Sequence, residues 1–235
     1  MHGVPLPIFA LTPFTLLDFP QRIACIVWFS GCNMRCAYCH NPRLLREKGR
    51  IDTEQVLRFL EKRRGLLDGV VLSGGEASLY PDLPVFIRQI RALGYAVKLD
   101  TNGSRPTMLR ALLGEGLLDY VALDYKAPAY KFAPLTGGKV RFDALDQSLK
   151  LLIAQNATPF EIRTTVHTDV MDEGDINAII ADLEQRGYRG ALHIQNFRDD
   201  DGRETLGNLP PQTRVLNAEI LKTPVHFSLA FRNFS

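Results

Sequence analysis

The chain has 235 residues, 46% of them hydrophobic and 23% charged, with a formal net charge of +2. That composition excludes a disordered or collagen-like chain, and its basic residues are scattered, which gives no basis for a nucleic-acid partner. The length suits one domain, or at most two small ones, burying about 70% or more of the surface the unfolded chain would expose.

Met1 to Leu17 carries no Lys or Arg, three prolines and no small-residue cleavage pattern, so no secretory signal is expected. The first buried strand is expected over Ile23 to Phe29. Such apolar stretches fall far short of the ~20 residues a membrane helix needs, so the expectation is a cytoplasmic protein with no membrane partner. Asp52 reads as a cap for a helix from Thr53 to Leu67. A strand at Gly69 to Leu72 follows, then a helix from Asp82 to Leu93 that ends at Gly94. Next come a strand at Ala96 to Leu99, a helix opened by Pro106 and running to Leu113, and a strand at Tyr120 to Leu123. A helix from Asp143 to Gln155, a strand at Phe160 to Val166, a helix from Glu173 to Arg186 and a strand at Ala191 to Gln195 complete the alternation. Asp199 to Gln212 is polar and rich in Gly and Pro, hence a loop; Arg214 to Lys222 reads as helical and Val225 to Phe231 as a terminal strand.

These runs are apolar with little polar alternation, as in a parallel sheet covered on both faces. Strand and helix alternating six times imply right-handed βαβ units in an α/β fold. A closed eight-unit barrel takes roughly 250 residues, and six-eighths of that is roughly 190, the span from about 22 to 200. The expected fold is therefore a partial (β/α)6 barrel with mostly parallel strands; a doubly wound open sheet is the alternative. No linker marks a second domain, so residues 1–235 are read as one domain with a core at about 22–200 and a C-terminal extension over 201–235.

Four cysteines stand at 25, 32, 36 and 39. They are too few for a disulfide scaffold. Cys32, Cys36 and Cys39 follow the first strand at C-x3-C-x2-C spacing, where the active-site loops of a parallel α/β fold emerge. They are either incidental reduced thiols, a Cys3His zinc site completed by His40, or ligands of an iron–sulfur cluster. Three thiolates hold three irons of a [4Fe–4S] cube and leave the fourth open. Cys25 lies within the first strand and reads as a buried apolar thiol.

C-x3-C-x-aromatic-C after the first strand of a βα protein resembles the signature of the radical S-adenosylmethionine (SAM) enzymes. The resemblance implies a partial (β/α)6 barrel, with Cys32, Cys36 and Cys39 ligating a [4Fe–4S] cluster. It also implies Tyr38 near the adenine of SAM, and the amino and carboxylate groups of SAM on the open iron. Reductive cleavage then yields methionine and a 5′-deoxyadenosyl radical, chemistry that belongs to the cofactor.

Ser73-Gly74-Gly75-Glu76, in isolation a common tight turn, resembles the family's glycine-rich SAM site after the second strand. Gly74 and Gly75 would let backbone approach the ligand, and Glu76 would accept from the methionyl ammonium. The family usually continues with Pro, where this chain has Ala77, a departure shared by the glycyl-radical activating branch. Asp100-Thr101-Asn102-Gly103 follows the third strand and Asp124-Tyr125-Lys126 the fourth. On their own they read as a helix-leading turn and a solvated salt pair. Together they resemble pyruvate formate-lyase activating enzyme and its relatives. That likeness implies a monovalent cation site at Asp100, Thr101 and Asp124, and Lys126 near the SAM carboxylate. Cys39-His40-Asn41-Pro42 matches the activating enzymes, with Asn41 facing SAM. Arg163 on the fifth strand resembles an active-site arginine, or is a sheet-end ion pair. His193 and Gln195 lie on the sixth, and period-two geometry is expected to turn one of them into the barrel.

Thr15 to Pro20 resembles the segment before the first strand of activating enzymes, but reads D-F-P-Q where the common version is D-G-P-G. That variant resembles anaerobic ribonucleoside-triphosphate reductase activating proteins. The likeness covers about residues 10 to 200 and implies an activase acting on a glycyl radical enzyme, with a flavodoxin- or ferredoxin-type reductant. A small-molecule enzyme resembling carboxy-deazaguanine synthase and a non-catalytic zinc module are the other readings.

Overall fold

The computed structural model describes residues 6–39, 41–198 and 205–234. Eight strands form one sheet: β1 (Ile8–Thr15), β2 (Ala24–Phe29), β3 (Gly69–Gly74), β4 (Ala96–Thr101), β5 (Tyr120–Asp124), β6 (Phe160–Val166), β7 (Ala191–Asn196) and β8 (Ser228–Arg232). They are neighbours in chain order, with β1 antiparallel to β2 and all later pairs parallel. A doubly wound sheet reverses its order at a switch point; this one never does. The chain winds in one direction as a partial barrel, and among the described residues β8 does not pair with β1.

The helices are α1 (Pro42–Arg46), α2 (Thr53–Lys62), α3 (Leu83–Ala92), α4 (Pro106–Gly114), α5 (Ala129–Thr136), α6 (Phe142–Ala154) and α7 (Glu173–Gln185). Capping boxes start α2, through Asp52 and Gln55, and α7, through Asp172 and Asp175. Helix α2 stops five residues before the expected Leu67, because Gly65 takes a φ of +76° and the chain turns there. The helix expected over Arg214 to Lys222 is only a short 3-10 turn at Ala218–Ile220. Its flanking polar groups are claimed by other partners: Arg214 donates to both oxygens of Glu173, at 2.6 and 2.8 Å, and Asn217 caps Glu219. Of the loop expected over Asp199 to Gln212, residues 199–204 lie outside the described residues, and 205–212 contain neither helix nor strand.

Three elements escape the sequence patterns: the short helix α1, strand β1 and helix α5. Strand β1 contains Pro13, which sits at the register shift between Thr12 and Thr15 on an edge of the sheet, where a missing N–H is tolerated. Helix α5 carries Pro134 in its interior. The sheet reaches beyond the expected core on both sides, since β1 precedes residue 22 and β8 lies within the C-terminal extension.

Period-two alternation sorts the strands into two apolar layers. The outward residues, among them Cys25, Val27, Leu72, Leu99, Ile162 and Ile194, pack against the helices in one large core. The inward residues Ala24, Ile26, Val71 and Ala96 form a small second cluster with Phe19. Phe19 closes the end of the barrel at which the strands begin: its ring lies 6.3 Å from that of Tyr120. A Cβ on Gly69 would stand 2.8 Å from the Phe19 ring, so a glycine is required there. Phe19 thus explains the departure from D-G-P-G as a side chain that packs. Its substitution by Ala is expected to cost about 3 kcal/mol, from lost burial plus the cavity left behind. Denaturant unfolding measures this, and a cost under about 1 kcal/mol would show that the plug adds little.

Candidate active site

Loops at the C-terminal ends of β2 to β7 converge on one cavity of about 320 Å³. Cys32, Cys36 and Cys39 all line it, with Tyr38 and Asn41. The cysteine loop is held from outside by segments distant in sequence. Arg35 and Ala37 donate their backbone N–H to Thr136 and Leu135 of α5, at 2.8 and 3.0 Å, and Gly207 donates to Ala37 at 2.9 Å. Tyr38 is buried, and its hydroxyl donates to the Lys126 carbonyl at 2.5 Å, joining the β2 loop to the β5 loop. His40, of both the Cys-His-Asn-Pro match and the zinc alternative, lies outside the described residues.

The sulfur of Cys32 accepts from the Met34 backbone N–H at 3.4 Å and from the Asn102 side chain at 3.6 Å. Burial and the negative charge of Glu76 push the Cys32 thiol up to about 12. Burial likewise raises Cys36, against the pull of Lys126. Such thiols stay protonated until a metal replaces the proton. Among the described residues no three His, Cys, Asp or Glu side chains are placed to ligate a single ion. A cube spreads three thiolates over three irons, so its ligands must line one cavity rather than meet at one point. The three cysteines fit that requirement. Cys25 belongs to the outer core, buried, and takes no part.

The glycines at the end of β3 are also required by the neighbouring strand. A Cβ on Gly75 would lie 1.9 Å from the Gly31 carbonyl oxygen, and one on Gly74 2.5 Å from the Phe29 nitrogen. Both glycines line the cavity, and the backbone at the end of β2 demands them as well. They let Gly75 and Glu76 donate to Phe29 and Gly31, each at 2.8 Å.

Glu76 and Thr101 are not among the cavity-lining residues. Glu76 is 1% exposed, and burial raises its carboxyl above the ordinary range. It accepts from Thr101 Oγ1 at 2.9 Å, Ser78 Oγ at 2.5 Å and the Asn102 N–H at 2.7 Å. The pair therefore shapes the turn after β4. Asn102, which sequence reasoning passed over within its motif, lines the cavity instead and bonds Cys32 and Asn33. No periodicity marks it; only the folded turn brings its amide to the sulfur.

Asp100, Asp124, Lys126 and Arg163 line the cavity as one ionic ladder. Arg163 donates to Asp124 Oδ1 at 3.0 Å and Asp100 Oδ2 at 3.3 Å. Lys126 donates to Asp124 Oδ2 at 2.9 Å, and Ser73 to Asp100 Oδ2 at 3.0 Å. Asp100 Oδ1 is buried without a hydrogen bond and is ion-paired to Lys98 Nζ at 3.3 Å. Burial alone would raise Asp124, but Arg163 and Lys126 outweigh it and hold the carboxyl at about 2. Of the expected cation ligands, Asp100 and Asp124 thus meet across Arg163, while Thr101 faces Glu76.

His193 and Gln195 are two apart on β7 and share a face, so both turn inward, a correction to the expectation of one. His193 Nε2 meets Glu161 Oε2 at 3.1 Å, and Gln195 lines the cavity. Glu161 sits deeper in the barrel, between His193, Lys98 and Arg232.

Cys36→Ala is expected to lose its iron on anaerobic reconstitution, whereas Cys25→Ala should keep it and cost about 1 kcal/mol in packing. Equal iron loss in the two would contradict the ligand set. A second expectation concerns pH. Against burial, which raises Glu161, its bond to His193 and the charges of Lys98, Arg163 and Arg232 hold its carboxyl at about 2. Asp124 and Glu161 are therefore depressed below their ordinary 3.8 and 4.5. Their charge stabilises the fold above those values, and that stability is lost as pH falls through about 2. The melting temperature should drop between pH 4.5 and 2, and Glu161→Gln should flatten the drop.

Residues 26–182 match the family described as the radical SAM superfamily. A protein of Methanocaldococcus jannaschii, provisionally named a glycyl-radical enzyme activating enzyme, is 33% identical over 72% of this chain and 72% of its own length. Pyruvate formate-lyase-activating enzyme of Clostridium pasteurianum is 35% identical over 37% of this chain and 40% of its own. Among solved structures, SuiB of Streptococcus suis bound to S-adenosylmethionine superposes with a TM-score of 0.63 at 13% identity, over 88% of this chain and 52% of that one. The chain thus spans about half the length of that structure, which at such identity speaks for the fold alone. With the family matched across most of the barrel and its three cysteines on one cavity, the chain belongs to the radical SAM superfamily.

Proposed function

We propose that the protein is an activase that generates a glycyl radical on a partner enzyme, and that the partner is anaerobic ribonucleotide reductase. The observation that carries this reading is the single cavity in which three cysteines face the Asp100–Arg163–Asp124–Lys126 ladder. Likeness to two proteins named as activating enzymes supports the choice of reaction. Cys32, Cys36 and Cys39 would hold a [4Fe–4S] cluster, which with SAM supplies one-electron cleavage of SAM and abstraction of a hydrogen atom.

This chain's residues bind and orient. Tyr38 would stand near the adenine, Asn41 would face SAM, and Gly74 and Gly75 would let backbone approach its methionyl part; all four line the cavity. Lys126 would offer its ammonium to the SAM carboxylate. Glu76 and Thr101 hold the turn that presents Asn102 to Cys32. A monovalent cation beside SAM would share Asp100 and Asp124 with Arg163. A flavodoxin- or ferredoxin-type protein of the cytoplasm would deliver the electron.

The test is activation under anaerobic conditions. Reconstituted protein, SAM, reductant and the reductase should give a glycine-centred EPR doublet. SAM cleavage without that doublet on any glycyl radical enzyme of the same organism would remove the activase reading and favour a small-molecule substrate. One zinc and no iron after reconstitution would favour a zinc module.

A further inference from the structure

Thr165 and Gln195 stand side by side as register partners across β6 and β7, and both line the cavity. The SAM reading uses neither. The Thr165 hydroxyl donates to Gln195 Oε1 at 3.4 Å. That bond orients the carboxamide, whose amide nitrogen then has no partner among the described residues. The charged groups beside the pair are engaged with one another: Arg163 with Asp100 and Asp124, His193 and Arg232 with Glu161. This wall of the cavity therefore presents a neutral donor next to a closed ionic ladder.

A charged ligand group would leave water for this wall without a free counter-charge, whereas a peptide unit loses far less. An amide N–H donor is the complement of a peptide carbonyl. The position fits too. Gln195 is the register partner of Arg232 on β8, the last strand of the open sheet. The Thr165–Gln195 pair thus lines the cavity on the side nearest β8, the edge of the open sheet, where a polypeptide can enter.

We propose that Gln195, oriented by Thr165, receives a backbone carbonyl of a peptide substrate beside the residue that loses its hydrogen. The subsite deepens the activase reading and rests on it for the chemistry. Gln195 is the binding residue and Thr165 a positioning residue.

The test uses reconstituted holoenzyme with SAM. The probe is a capped, uncharged alanine heptapeptide with one central dideuterated glycine. Peptide and SAM affinities are read by calorimetry, and deuterium entering 5′-deoxyadenosine by mass spectrometry. The wild type should bind the peptide and transfer deuterium. Gln195→Ala, and Gln195→Glu, which keeps the length but removes the donor, should weaken the peptide about tenfold, the loss of one hydrogen bond. Thr165→Val should cost about threefold, with Thr165→Ser restoring affinity. Unchanged peptide affinity in both Gln195 variants, loss of SAM affinity in them, or no binding by the wild type overturns the subsite. Binding that the variants weaken, without deuterium transfer by the wild type, keeps the subsite and removes the glycine-abstraction reading. Deuterium transfer with an unchanged KM in both variants keeps that reading and removes the subsite.

Discussion

Arg163 places one guanidinium between two carboxylates that come from two other strands, and the inner face of the barrel is organised around that bridge. Asp100 ends β4, Asp124 ends β5, and Arg163 lies on β6. Charges taken out of water must be paired, or the group neutralises itself. Here each pairing sets where the next side chain can go: Lys126 turns to Asp124, Ser73 to Asp100, and Lys98 spans Asp100 and Glu161. Lys98 also donates to the Asp18 carbonyl, which ties the segment carrying Phe19 to the same network. A fully apolar barrel interior would have closed by packing. The ionic interior keeps its shape by directional bonds and leaves a cavity that polar ligands can enter.

The cysteine loop depends on a second constraint, close approach of backbones. Gly74 and Gly75 allow the end of β3 to run against the end of β2, and Gly31 completes the contact by accepting from Glu76. Gly137 plays a matching role under Arg35, where a Cβ would stand 2.7 Å from that side chain. Within the loop, the Cys32 sulfur accepts from Met34 and Asn102, and Cys39 donates its backbone N–H to Cys36. Helix α5 and the turn at Gly207 bond it from behind, so the loop is preformed by segments more than ninety residues away.

Much of this was legible in the primary structure, for identifiable reasons. The parallel strands announced themselves as apolar runs because their outward faces pack under helices. Proline hid β1 and α5, since an edge strand and a helix interior are the places where local propensity is overruled by tertiary contacts. The helix expected at Arg214 failed because Glu173, far away in sequence, claims that arginine. The cysteines and the charged ladder, singled out from spacing and motif, line one cavity. Glu76 and Thr101, singled out from the same motifs, bond each other and are not among the residues lining it.

By itself the amino-acid sequence determined the alternation of strand and helix, the three-cysteine spacing after a strand, and the family those two features identify. These depend on local periodicity and on residue type, which are written along the chain. Only the tertiary structure decided that the sheet winds in one direction and stays open, that Asp100 and Asp124 share Arg163, that Asn102 reaches Cys32, and that Thr165 and Gln195 face the cavity together. Each of these is a meeting of residues tens of positions apart, and burial and hydrogen bonding, rather than local preference, select the meetings that leave no buried charge unpaired.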